Sequence, residues 1–90
     1  MRMEDFDAAV GATFEIELAD RSLPVVLERL VSLPGSPREG GAFRIEWRGP
    51  AEPILPQSIY RFRRGVDAWD MFIVPVSGGP EGALYEAIFF

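Results

Sequence analysis

Apolar and polar residues alternate with a period of two in three separate stretches of the 90-residue chain. In TFEIEL (residues 13–18), Phe14, Ile16 and Leu18 share one face, and Thr13, Glu15 and Glu17 share the other. FRIEWR (43–48) sets Phe43, Ile45 and Trp47 opposite Arg44, Glu46 and Arg48. QSIYRFRR (57–64) sets Tyr60 and Phe62 opposite Ile59, Arg61 and Arg63. Successive side chains of a strand point to opposite faces, so each pattern predicts a half-buried β-strand. Two further runs, AWDMFIVPV (68–76) and ALYEAIFF (83–90), are apolar at nearly every position. The first predicts a strand buried on both faces from Met71 to Val74, and the second a closing strand.

LPVVLERLVSL (23–33) fits two periods. Leu23, Val26, Leu27, Leu30 and Val31 make a helical stripe, whereas Leu23, Val25, Leu27, Val31 and Leu33 make a strand interrupted at Arg29. Its short span between turns and its β neighbours favour a strand with a bulge near Glu28 and Arg29. The polar loop PGSPREGG (34–41), the proline-rich PAEPILP (50–56), Gly65 to Asp67 and SGGPEG (77–82) punctuate the runs. The expectation is an all-β fold: one domain over residues 1–90, a six-stranded, mainly antiparallel barrel or sandwich, with one short N-terminal helical turn. Its expected core is Phe14, Ile16, Leu18, Phe43, Ile45, Trp47, Tyr60, Phe62, Phe72, Val74 and Ile88.

Composition narrows the chemistry. The chain has no His, Cys or Lys, and all nine basic residues are Arg. It therefore lacks the imidazole, thiolate and amine that most often serve as base, nucleophile or Schiff-base former. Arg stays protonated and cannot shuttle protons. The expectation is that the domain is not an enzyme and uses no cofactor and no metal; no acidic run has the glycine-punctuated spacing of a calcium loop. Glu15 and Glu17 share one strand face and read as a solvated surface. The N-terminus lacks the apolar core of a signal peptide, and no apolar run reaches the ~18 to 20 residues that span a bilayer. A soluble cytoplasmic protein is the default.

Residues 43–64 carry five Arg and four aromatic rings against Glu46 and Glu52, a local charge of +3 in a chain of −5. Arg among aromatics is the vocabulary of single-stranded nucleic-acid platforms. Here, however, alternation places rings and charges on opposite faces, and the acidic remainder opposes long-range attraction. The arginines instead predict ion pairs with Glu46, Glu15 and Glu17. Binding to nucleic acid or membrane is not expected.

Two surface readings remain. The closing strand is apolar on both sides, with Leu84, Ile88 and Phe90 on one and Tyr85 and Phe89 on the other. This predicts an exposed patch near Trp69, Tyr85 and Phe89 for self-association or a protein partner. The alternative cover for that row is an N-terminal segment carrying Phe6 and Val10. A small-ligand barrel contacted by Trp47, Gln57 and Tyr60 is the competing function, and it requires an open interior.

The pieces FRIEWRG, LPQSIY, MFIVPV and YEAIFF occur in one order and together resemble a small bacterial all-β family of unknown function. Its pattern is Arg-Gly-Pro, Leu-Pro-Gln, Val-Pro-Val and Tyr-Glu-Ala, here spread over residues 6–90 with the intervening chain. The resemblance implies a stand-alone all-β domain with no assigned activity or catalytic residue. Such domains are further associated with neighbours similar to phage-tail fibre or collar proteins, and an accessory or assembly module working through protein contacts is the favoured function.

Overall fold

In the computed structural model, residues 4–33 and 42–89 are described. A short helix, α1 (Glu4–Asp7), precedes six strands: β1 (Thr13–Glu17), β2 (Ser22–Leu33), β3 (Ala42–Gly49), β4 (Ser58–Arg64), β5 (Asp67–Ser77) and β6 (Ala83–Phe89). Every pairing is antiparallel, and the sheet closes in the order β1-β2-β3-β6-β5-β4, with β4 returning to β1. The fold is thus the barrel of the two expected architectures. The loop over residues 34–41 and the place of Phe90 in the closing strand lie outside the described residues.

The ambiguous segment is a strand. Leu23, Val25 and Leu27 alternate inward on β2. The register against β3 then slips between Leu27 and Arg29, so Glu28 is the extra residue of a bulge. That insertion restores the phase, and Leu30 pairs with inward-facing Ile45. The β4–β5 hairpin turns on Gly65 and Val66 inside the pair Arg64–Asp67. Gly65 has φ +62°, and among the described residues only glycines have positive φ, the signature of a turn with glycine at its first central position.

A closed barrel has one interior, and here it is filled by rings. Trp47 lies at the centre, edge-on to Phe14 at 4.8 Å and 4.6 Å from Phe62 between centroids. At one end Phe6, delivered by α1, stops the barrel: its ring lies 5.4 Å from Trp69, 6.4 Å from Phe43 and 6.5 Å from Phe14. At the other end the segment between β3 and β4 turns Leu55 inward. The Leu55 backbone N–H donates to the Tyr85 hydroxyl at 2.9 Å.

Three expected core residues face outward. Phe72, Val74 and Ile88 stand on the outer wall, with Phe72 and Ile88 exposed and Val74 half-buried. The inward row of β5 is Trp69, Met71 and Ile73, and that of β6 is Ala83, Tyr85, Ala87 and Phe89. Large apolar side chains stand on both faces of these strands, but Asp70 and Glu86 mark the outer ones, and closure leaves no second core for the outer row. Tyr85 pairs with Trp47 across the sheet, and the enclosed Ala83 and Ala87 stand on either side of it in the inner row. Leu18 and Tyr60 are partly buried against the core, and the other expected core residues are enclosed.

Candidate functional site

The barrel wall presents two kinds of surface. Many outward positions hold paired charges. Arg48 reaches Glu28 on the bulge at 2.8 Å, Arg61 reaches Asp70 at 3.1 Å, and Arg63 reaches Glu17 at 3.4 Å. Arg44 lies 3.1 Å from Glu46 and 3.8 Å from Glu86. Hydrogen bonding to Glu28 raises the pKa of Arg48 above its ordinary value, and bonding to Asp70 does the same for Arg61. The arginine-rich segment is therefore resolved as its alternation requires: rings inward, guanidiniums outside, and four of the five, Arg44, Arg48, Arg61 and Arg63, matched to carboxylates. Of the partners expected, Glu17 and Glu46 are used. The Arg64 guanidinium lies 5.7 Å from the centre of the Phe14 ring.

The second surface is apolar. Ile59 on β4 pairs with Phe72 on β5. Val74 pairs with Glu86 on β6, so the same register, continued by two residues, sets Phe72 level with Ile88. Ile59, Phe72 and Ile88 thus form one row across three neighbouring strands, with fractional exposures of 65%, 53% and 42%. Phe72, Val74, Glu86 and Ile88 line a shallow groove of about 230 Å³ in this wall. Beyond the groove, Arg44 stands opposite Ile88 on β3, and the Arg61–Asp70 pair lies two residues along from Ile59 and Phe72.

The expected interface residues occupy other places. Tyr85 is fully enclosed, Phe89 is partly buried and stacked on Phe43 at 4.8 Å, and Trp69 packs on Phe6 and Phe14. The patch expected near these three is corrected: they form the inner row, and Phe6 covers Trp69, as the alternative held. Val10, its supposed companion, is exposed. The exposed apolar row is the opposite one. A signal for it exists at Ile59, which shares its face with Arg61 and Arg63 and so must point outward with them.

The residues expected around a small ligand do not share an opening. Trp47 is enclosed by rings, Gln57 is exposed, and the half-buried Tyr60 donates its hydroxyl proton to the Pro56 carbonyl at 2.7 Å. Glu15 is exposed on the outer wall, where Glu17 meets Arg63. Among the described residues, no group of three or more acidic side chains is gathered as a metal site would require.

A closed six-stranded barrel with a ring-filled interior and an apolar strip on its wall defines a small all-β domain whose accessible features lie on the outside. The chain belongs to the family described as a domain of unknown function (DUF6916), which matches residues 1–89. Neither comparison with curated proteins nor comparison with solved structures finds a match.

Proposed function

We propose that the domain is a non-catalytic accessory or assembly module that works through protein contacts, and that it docks through the outer wall of β4, β5 and β6. The observation that carries this reading is the row Ile59–Phe72–Ile88, three large apolar side chains exposed side by side, whereas the outward Arg44, Glu46 and Arg48 of neighbouring β3 are charged and paired. Exposed apolar groups that lie contiguous and rimmed by charges mark interaction surfaces more often than scattered ones do.

The four sequence pieces that carry the resemblance fit a structural role. They converge on one end of the barrel. Gly49 of Arg-Gly-Pro sits so close to Val25 and the Tyr85 ring that an added Cβ would lie 3.2 and 3.3 Å from them. Pro50 accepts a hydrogen bond from the Ala83 N–H, Leu55 of Leu-Pro-Gln donates to Tyr85, and Pro75 of Val-Pro-Val pairs with Tyr85. Such residues close and brace the barrel, which suits a stand-alone domain without an active centre. The bacterial origin and the link to phage-tail fibre or collar neighbours enter this proposal through the resemblance alone. The absence of His, Cys and Lys supports a non-enzymatic role, and the ring-filled interior ranks a small-ligand barrel below a contact module.

A photoreactive residue placed at position 72 tests the reading in the cell of origin, with the same residue at position 63 as control. Protein adducts from position 72 well above those from position 63 are expected. Equal yields from the two positions would overturn it.

A further inference from the structure

The wall has a symmetry of charge that points to a particular partner. Seen from outside, the outward residues of β4, β5 and β6 form a grid of three rows centred on Phe72. The middle row is Ile59, Phe72 and Ile88; Asp70 lies above Phe72 with Arg61 beside it on β4. Val74 lies below Phe72 with Glu86 beside it on β6. Arg61 and Glu86 therefore occupy opposite corners of the grid, diagonally across Phe72.

We infer that this wall, read as a docking surface above, takes a second copy of the same chain in a twofold dimer centred on Phe72. Two identical faces meet about a twofold axis lying in the interface, and each contact then occurs twice. An axis through Phe72, perpendicular to the line joining the two corners, sets Phe72 on Phe72. It also brings Arg61 of each copy over Glu86 of the other, places Ile59 close to Val74, and sets Asp70 beside Ile88, where the ion pair with Arg61 keeps the carboxylate partnered. The strands of the two barrels cross at a steep angle, as in orthogonal sheet packing.

Charge selects this occupant. The chain carries −5 overall, so two copies repel unless they meet where both signs are matched. The grid satisfies that condition, because its cation and the acid that complements it stand at symmetry-related corners. The intramolecular partners, Asp70 for Arg61 and Arg44 for Glu86, remain alongside and extend each contact into a four-charge cluster. The apolar centre is small beside the roughly 800 Å² per partner of a standard interface, so dissociation is expected at micromolar rather than nanomolar concentrations.

Sedimentation equilibrium across a concentration series tests the dimer. The wild type should shift from monomer to dimer as concentration rises. Arg61→Glu and Glu86→Arg should each weaken association by about tenfold or more, since each sets like charges over one another twice. Mixing the two single variants should restore it. In the mixed pair, the acid introduced at position 61 of one copy meets the base introduced at position 86 of the other, and the native pair forms at the second corner. Phe72→Glu should remain monomeric, with the thermal transition of a folded barrel. A wild type that stays monomeric throughout, or a mixture that associates no better than either variant alone, overturns the inference. The docking reading has a separate readout: adducts from position 72 to other proteins, found with a monomeric wild type, would reject the dimer and leave that reading intact.

Discussion

The hydroxyl of Tyr85, a residue with no exposed surface, accepts the backbone N–H of Leu55 from the far side of the barrel mouth at 2.9 Å. One side chain thereby joins β6 to the segment between β3 and β4. It also gives a partner to a backbone donor that closure removes from water.

Tyr85→Phe keeps the ring and deletes that acceptor. A buried donor left without a partner costs about 1–3 kcal/mol. Chemical denaturation should show a lowered midpoint with an unchanged slope, and amide exchange at Leu55 should accelerate more than at Ile45. A variant as stable as the wild type would mean that water reaches the Leu55 N–H.

Two glycines with positive φ should respond very differently to alanine. Gly82 has φ +114°, and a Cβ there would collide with the Gly49 carbonyl oxygen, part of the backbone that joins β3 to β6. Gly65 has φ +62° with open space around it. Gly65→Ala should cost only the strain of an L residue held at positive φ, about 1–3 kcal/mol. Gly82→Ala adds a backbone displacement and should leave little folded protein. Parallel thermal melts decide between them.

Where the outer face of a strand is charged, the sequence identifies the inner one without ambiguity. On β1, β3 and β4 the charges fix the outer face, and Phe14, Ile16, Ile45, Trp47 and Phe62 are all enclosed. On β5 and β6 both rows carry large apolar groups, and the mark of the outer row is a single carboxylate on each: Asp70 shares its face with Phe72, and Glu86 shares its face with Ile88. The pairings of Phe62 with Trp69 and of Trp47 with Tyr85 agree with that assignment. The docking wall lies largely on those two strands, which is why a reading by hydrophobicity sends Phe72 and Ile88 to the core and their neighbours to the surface. The covering of Trp69 by Phe6 depends on a short helix folding back over the barrel mouth, which periodicity does not encode.

Phe6→Ala should unseat that cover. Truncating a buried Phe costs about 3–5 kcal/mol, a large fraction of what a domain of this size has in hand. Because the Phe6 ring lies 5.4 Å from Trp69, the same variant should shift tryptophan emission to longer wavelength before global unfolding. An unchanged spectrum would show that Phe6 does not shield the indole.

Tyr60 makes stability depend on pH at the alkaline end. Burial raises its pKa above the ordinary 10.0, and the nearby Tyr85 adds to the effect. The folded state therefore holds the proton where the unfolded chain releases it. This contribution is complete below pH 10.0 and is lost as pH rises from there through the folded-state value. Tyr60→Phe should flatten the alkaline fall in melting temperature. At neutral pH it should cost about 1 kcal/mol through the lost bond to the Pro56 carbonyl. Equal alkaline slopes in the two proteins would assign the fall to other groups.

The inward and outward rows of β5 allow the most direct check of the barrel itself. Met71 and Phe72 are adjacent, one enclosed and the other half open to solvent. If the wall is as described, Phe72→Ser removes a side chain that already meets water and should change monomer stability by no more than about 0.5 kcal/mol. Met71→Ser leaves a cavity and a hydroxyl with no assured partner in the core, and should cost about 2–5 kcal/mol. The comparison is best made at low protein concentration, since association would add apparent stability to any variant that retains the wall. Matching losses at the two positions would mean that β5 is covered on both faces. The outer row would then be core after all, and the docking surface would have to be sought elsewhere.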